Sequence, residues 1–580
     1  MSNRELVSVA IIGAGPRGLS ALESLYYNIA KCSLDKTVKT LLFEASGQLG
    51  NGQVYHMKQP DSNWLNVSDR GLTIPARQAL KGPHFNVPAF PSYHDWSGFD
   101  REVDTGSKPD NFTTRSHMGV YLNQRFTSLA DVLIKNGLLE VIHESIVHLD
   151  YKNNRFIIRS DKGKYIANEC VLTVGHQPTK LDEQLSKWKT KVSATSGSKL
   201  FEYPYPIEDV KQNIQHGDVV ALRGFGLAMI DVARALSEGM GGDFTVLDRS
   251  TRKMSYTFKD KDKVLIVPFS LNGLPMTPKP LSLNLDVPFI PTENELASFE
   301  GRLSTSVHDS SVIRDTRFLT SAIIPLIVQK FMALDERAIA HSLSYSALEK
   351  IVEQWLEDGS IDHDLIISKS LAAYDSMQRF VDMATGRSRI SLDYCIGQVW
   401  RHCQPTMYKA LSFTDLGDEI IAEVIQLDER LKRYSYGPPV DSLTQMLALV
   451  DAGAMTLDFV NDPEISLTGK GWELKKGKGK IVANVMIDTV LDSPKLLDIN
   501  SPLVKSLLED SLVEPIHTSL GISTYKNALV ELEEEREEIP LAVLGRLAKG
   551  SIIGVDAILE CFGNRSDAWA KGVMERLGII

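Results

Sequence analysis

Apolar positions in residues 7–25 fall into two regimes separated by a glycine turn. Val7, Val9, Ala10, Ile11 and Ile12 form the nearly unbroken run expected of a strand covered on both faces. Leu19, Ala21, Leu22 and Leu25 then follow at helical spacing. Between them lies Gly13-Ala14-Gly15-Pro16-Arg17-Gly18. The pattern predicts a buried strand, a tight turn and a helix whose first N–H groups are free to take an anion. In such a turn Gly13 permits the bend, Gly15 lets a pyrophosphate approach the backbone, and Gly18 lets helix and strand pack closely. A second apolar run, residues 40–44, ends in Glu44, where an acid is placed to accept ribose hydroxyls.

Residues 45–55 are rich in glycine and small polar side chains, so their backbone can lie close to a ligand, and Asn63-Trp64-Leu65-Asn66-Val67 follows. Residues 82–111 combine prolines with Phe85, Phe90, Tyr93, Trp96 and Phe99. This excursion reads either as a cover over a site or as an aromatic-anchored surface loop. Met118, Tyr121, Leu122, Phe126 and Leu129 predict a helix over 117–133. Residues 138–149, 155–160 and 164–174 read as short strands, the last leading through Val174-Gly175-His176 to a stop at Pro178. Residues 179–216, with Tyr203-Pro204-Tyr205-Pro206, read as a linker.

After it the opening pattern recurs. Val219, Val220, Ala221 and Leu222 run into Gly224-Phe225-Gly226-Leu227, and a helix continues through Ala233 and Leu236 to Gly239, Gly241 and Gly242. Residues 282–446 are mostly helical by pattern, as at 339–356 and 365–383, until Pro438-Pro439. Strand character returns at 480–491 and 540–545, and a last helix is expected over 555–562 and on to 577. The acidic run 531–538 reads as a solvated loop or strand end, and the lysine-rich stretch 475–480 as a solvated turn.

This order predicts an α/β fold with two Rossmann-like dinucleotide-binding domains and a helical insertion. The layout resembles that of two-Rossmann flavoproteins, which implies FAD at the first turn: it is N-terminal, its return strand ends at Val174-Gly175, and the second unit is inserted after it. The expected division is an FAD domain over 1–180 that returns at 496–580. It encloses a nicotinamide domain over 215–281 and 447–495, with the helical insertion at 282–446.

Composition narrows the picture. At 580 residues the chain is too long for one core. A formal net charge of -11 argues against a nucleic-acid or anionic-membrane partner. The five cysteines are scattered without metal-ligand spacing, so no metal is expected, and Cys395 and Cys403, the one close pair, read as buried thiols. Residues 1–5 carry no signal-peptide pattern, and the apolar stretch 319–334 is interrupted by Pro325, Gln329 and Lys330, so a soluble cytoplasmic protein is expected. No nucleophile elbow, Walker loop or HExxH is found.

With these stretches in view, the chain resembles the two-Rossmann flavoproteins that bind FAD and NAD(P)H, which include N-hydroxylating and Baeyer–Villiger monooxygenases. Within them it looks most like a bacterial FAD/NAD(P)-binding family, some of whose members are amino-acid N-oxygenases. The similar stretches are Gly50-Asn51-Gly52-Gln53-Val54-Tyr55, Leu65-Asn66-Val67, Arg115 with Gly119-Val120-Tyr121-Leu122, residues 171–175, Gly224-Phe225-Gly226-Leu227 with Asp231, residues 236–242, Val399-Trp400-Arg401, and Ser435-Tyr436-Gly437-Pro438-Pro439. The resemblance implies FAD held by Gly13 to Gly18, Glu44, Gln53, Val54, Asn66, Val174 and Gly175, and NAD(P)H at Gly224, Gly226 and Leu227. It also implies monooxygenation of a small amino-acid-like substrate.

Asn66, His176 and Arg115 are the candidate catalytic residues. Asn66 is placed to hydrogen-bond the flavin, or simply to form a turn. His176 lies near the ring, or is satisfied by backbone at a strand end. Arg115 binds an anion or makes a salt bridge at a helix N-terminus. Asp231 reads as packing or capping. Two departures from the family bear on the second site: Met229 replaces the third glycine, and Leu271 stands where the family usually has an arginine for the 2′-phosphate. Either Asp248, with Arg249 and Arg252 beside it, ends a ribose-binding strand, or nicotinamide binding is weak or lost. The alternative to a monooxygenase is then a redox sensor or an oxygen-independent flavin reductase. At the C-terminal end, Arg546 stands where many flavoproteins have an aspartate, and no role is assigned to it.

Overall fold

The structure is a computed structural model that describes residues 6–32, 36–100, 106–192, 197–258, 263–308, 310–359, 361–491, 494–533 and 538–579. Two parallel sheets carry the two glycine turns. The first has the strand order Leu541–Val543, Glu169–Leu172, Leu6–Ile12, Thr37–Phe43, Leu139–Ile142. Ile11 lies between Leu42 and Val171, and Val171 next to Ala542. The unbroken apolar run in the first strand follows from cover on both faces. Val9 and Ile11 pack with Leu22, Leu122 and Trp569 of the helices Pro16–Ala30, Arg115–Lys135 and Arg565–Arg576. Ala10 and Ile12 pack with Leu149, Phe156 and Val504 on the other side.

The second sheet has the order Lys199–Phe201, Val485–Asp488, Val219–Arg223, Leu265–Phe269. Val220 and Leu222 join the core of the helix Leu227–Ser237 and of the helical segment that follows, while Ala221 faces Trp472 and Met486. The helical segment runs from Leu283–Asp286 to Val440–Asp451, with Leu392–Leu411 near its centre and Trp400 fully buried.

Several expected elements are redrawn. Residues 179–216 are not a plain linker: they hold the helices Glu183–Val192 and Ile207–Lys211 and the strand Lys199–Phe201, which pairs in parallel with Val485–Asp488. The expected single strands 138–149 and 164–174 each divide between two sheets, as does 480–491. The cause is the same at two of these breaks. Asn168 accepts the N–H of Ser8 (3.0 Å), and Asn484 accepts that of Val219 (2.8 Å). Each asparagine ends an antiparallel meander and starts a parallel strand against a glycine-turn strand. Helices begin later than their apolar pattern, at Tyr345–Glu357 and Ala373–Ala384. The expected helix at 555–562 is only a short 3-10 turn, Leu559–Phe562. Residues 82–111 are anchored by aromatic packing, Tyr93 edge-on to Tyr121 at 5.3 Å and Trp96 also against Tyr121, with 101–105 outside the described residues. Most of the charged core of the acidic run, 534–537, also lies outside them. Glu473 pairs with Lys475 along its own strand, Gly471–Lys476, and with Lys480 across the hairpin on Gly479–Ala483. Cys395 and Cys403 are buried free thiols. Among the described residues, no helix is long and apolar enough to cross a membrane.

Candidate functional site

The first glycine turn is built by close backbone contact. Gly13 has φ +104, and a Cβ there would sit 2.7 Å from the carbonyl oxygen of Thr173; a Cβ on Gly18 would sit 2.1 Å from that of Gly13. The Thr173 hydroxyl donates to the Gly13 carbonyl at 2.6 Å, fixing the return strand against the turn. Gly15 caps the helix Pro16–Ala30 without a side-chain hydrogen bond, which leaves the first N–H groups for an anion. Gly50 donates to Ala14 at 2.6 Å and lays residues 50–55 beside the turn, where the buried Oδ1 of Asn51 has no partner. Glu44 stands at the same place: Oε2 accepts from the Ala14 N–H (3.0 Å), Oε1 from the N–H (2.9 Å) and hydroxyl (2.6 Å) of Ser46. The Arg17 side chain turns away, donating to the carbonyls of Val555 and Glu560, both at 3.0 Å, so only its backbone is left to a ligand in the turn. A half-buried glycine turn whose helix-start N–H groups are left for a ligand, an acid beside it and an orphan buried acceptor fit a dinucleotide.

The second turn repeats this construction. Gly224 has φ +118, and a Cβ there would meet the Thr489 hydroxyl at 2.5 Å. Thr489 donates to the Arg223 carbonyl at 2.7 Å, as Thr173 does to that of Ile12 at 3.1 Å. Nothing lies within 4 Å of a Cβ on Gly226, so the start of the helix Leu227–Ser237 is open. Thr173 and Thr489 were not singled out from the sequence. Their signal was present, as an asparagine, four residues of strand and a threonine in both 168–173 and 484–489. Met229 is 2% exposed and fills the core where the first unit has Gly18 against backbone.

Asp248 does not end a ribose-binding strand. Its strand, Gly242–Asp248, forms an antiparallel hairpin with Lys253–Phe258, outside the parallel sheet. Asp248 caps its own turn through Ser250 and Thr251, and Arg252 pairs with Asp441. Leu271 is 87% exposed, just beyond the strand Leu265–Phe269.

A cavity of about 1690 Å³ is walled by both units and by the helical segment. Gln53, Val54, Asn66, Arg115, His176 and Leu227 all line it, so residues more than 170 positions apart meet there. It exceeds the few hundred to about 1,000 Å³ of a single small-molecule site and has room for more than one ligand.

The three candidate catalytic side chains behave differently. Arg115 donates to Asp231 Oδ2 at 2.6 Å, the oxygen that also accepts the Tyr205 hydroxyl at 2.6 Å. The arginine and Asp231 thus form one buried lock between the units, and Asp231 serves packing and pairing. Asn66 is held from both ends: its amide donates to the Tyr436 carbonyl at 3.3 Å, and its own carbonyl accepts from the Lys279 ammonium. His176 is an exposed residue on the cavity wall, and desolvation by the atoms crowded around its ring, then the nearby Arg546 and Arg115, draw it down to about 4. It is neutral at neutral pH. Glu560, also on the wall, is pushed up to about 7 by burial. Arg546 pairs with Asp556, which Lys432 and Lys549 also face.

A basic cluster on the wall was missed from the sequence. Arg70 donates to both oxygens of Asp110 (2.7 and 3.0 Å) and to Asp286 (2.9 Å); Arg401 and His402 also bond Asp286. Lys279 lies beside them, its ammonium on the Asn66 carbonyl. These residues are scattered over 332 positions and share no local motif.

Residues 10–177 match the FAD-NAD(P)-binding family. This segment contains the first glycine turn, Glu44 and the return strand, and the protein's cofactors are FAD and a nicotinamide nucleotide. The chain is similar to nitrosuccinic acid synthase of Aspergillus oryzae, at 27% identity over 242 residues covering 41% of this chain and 36% of that protein. It is also similar to L-aspartate N-monooxygenase (nitrosuccinate-forming) of Streptomyces davaonensis, at 25% identity over 266 residues, 41% of this chain and 40% of that protein. The matched stretch therefore spans less than half of either relative. Among solved structures, L-lysine 6-monooxygenase from Pseudomonas syringae overlaps 98% of this chain and 99% of its own, with 12% identity and a TM-score of 0.44.

Proposed function

We propose that this protein is an NAD(P)H-dependent FAD monooxygenase that hydroxylates the amine nitrogen of a small amino acid. The observation that carries the reading is the single cavity onto which residues next to both glycine turns open. We assign the first turn to FAD and the second to the nicotinamide nucleotide. FAD, when bound, supplies the hydride and oxygen chemistry. The protein's part is to bind, orient and exclude water. The open N-terminus of Pro16–Ala30 takes a diphosphate, Glu44 takes a ribose, and Gln53, Val54 and Asn66 line the path from that turn into the cavity. The open start of Leu227–Ser237 takes the second diphosphate. Neutral His176 offers a hydrogen bond on the wall without adding charge. The relatives named for aspartate support an amino-acid substrate for this chain.

The test is anaerobic mixing of FAD-loaded protein with NADPH or NADH, followed by aerobic turnover with amino acids and assay for a hydroxylamine or its oxidised products. Rapid bleaching and a hydroxylated product are expected. Bound flavin that neither nucleotide reduces would defeat the proposal. That result would favour a second reading, a flavin protein without nicotinamide turnover, for which Met229, the exposed Leu271 and the detached Asp248 hairpin speak.

A further inference from the structure

The stretch from Ser270 to Leu281 joins the strand Leu265–Phe269 to the helical segment, and its backbone is fixed at nearly every step. Thr277 donates to Arg433 (2.9 Å), Lys279 to Pro438 (3.2 Å) and Leu281 to Ala384 (2.9 Å), while Pro278 accepts the Tyr394 hydroxyl (3.1 Å). Gly437 lies so close that a Cβ would sit 1.9 Å from the Thr277 carbonyl. The stretch therefore delivers the Lys279 ammonium to one place on the cavity wall.

The charges there do not balance. Arg70 and Arg401 are matched by Asp110 and Asp286. Lys279 is the additional cation, bonded to a neutral carbonyl, and among the described residues it makes no ion pair. Burial, then the facing Arg401 and Arg70, draw it down to about 7 in spite of Asp286 and Asp110. A cation held in this way is stabilised by an anion entering the cavity. The two glycine turns offer their own N–H groups to the cofactor diphosphates, so the Lys279 site is left for another anion.

Resting on the function proposed above, we infer that Lys279, near Arg70 and Arg401 on the cavity wall, binds a side-chain carboxylate of the substrate, so that the enzyme selects an acidic amino acid over its neutral isostere. Lys279 is then a specificity-determining residue that touches substrate.

The experiment is calorimetric titration of FAD-loaded wild type, K279M and K279R with L-aspartate, with L-asparagine as the neutral control and NADPH as the competing anion. Flavin content and melting temperature report folding. The expected result is that wild type prefers L-aspartate, that K279M weakens its binding about tenfold or more and abolishes the preference, and that K279R restores most of it. NADPH binding should change less than about twofold. Unchanged L-aspartate binding in K279M, or a loss confined to NADPH, would overturn the inference. Lys279-dependent aspartate binding without any hydroxylation would refute the proposed function and leave the site standing. Hydroxylation of L-aspartate by K279M at wild-type KM would do the reverse.

Discussion

Replacing Arg115 by methionine separates a structural role for this arginine from a ligand-binding one. In the native protein its guanidinium lies 2.6 Å from Asp231 Oδ2, and the two side chains are 17% and 6% exposed. In R115M the carboxylate keeps the Tyr205 hydroxyl and the field of the buried Arg234, but a buried charge loses its hydrogen-bonded counter-ion. Breaking one side of such a pair costs about 3–5 kcal/mol, and contact with cavity water places this one near the lower end, about 3 kcal/mol. D231N leaves Arg115 uncompensated and should cost a similar amount. The double variant carries neither charge, so its loss should fall short of the sum by about 2 kcal/mol. The assay is guanidinium denaturation of the four proteins, reading the first unfolding transition, with KM for nicotinamide and amino acid measured alongside. Additive losses, or a stable R115M whose only defect is a raised KM, would refute the lock and make Arg115 a ligand-binding residue.

G18A should empty the flavin site, because its Cβ would meet the Gly13 carbonyl at 2.1 Å and neither backbone can give way. An absorbance ratio at 450 and 280 nm equal to wild type would count against this. His176 lies below its ordinary value, so the native protein holds the neutral ring; stability from this group is lost as pH falls through about 6.5 toward about 4. Between roughly pH 5 and 8 H176Q should leave the shape of the kcat/KM profile unchanged, and an NMR titration midpoint above 6 would contradict the assignment. L271R adds a cation at an 87% exposed position just past the strand Leu265–Phe269. It should raise kcat/KM for NADPH relative to NADH by about tenfold with little change in stability; an unchanged ratio would place the 2′-phosphate elsewhere.

The first unit was readable because its signals are local. Strand, turn and helix lie within residues 6–30, and the glycines are dictated by contacts along a few residues of backbone. The second turn was readable for the same reason, but its sheet was not. The strand Lys199–Phe201 comes from a stretch rich in lysine, tyrosine and proline, and only pairing with Val485–Asp488 makes it a strand. Asp248 shows the opposite failure: its distance from Gly226 suits a ribose-binding acid, yet the hairpin with Lys253–Phe258 removes it from the parallel sheet.

By itself the sequence determined the two βα turns, the α/β class and the helical character of the segment between the sheets, since periodicity and glycine placement act over a few residues. The tertiary structure alone decided which charges meet. Arg115 and Asp231 are 116 positions apart, Asn66 and Lys279 213 apart, and Arg70 and Asp286 216 apart. Ion pairing needs contact within a few ångströms, and no local pattern records which distant side chains the packing of three segments will bring that close.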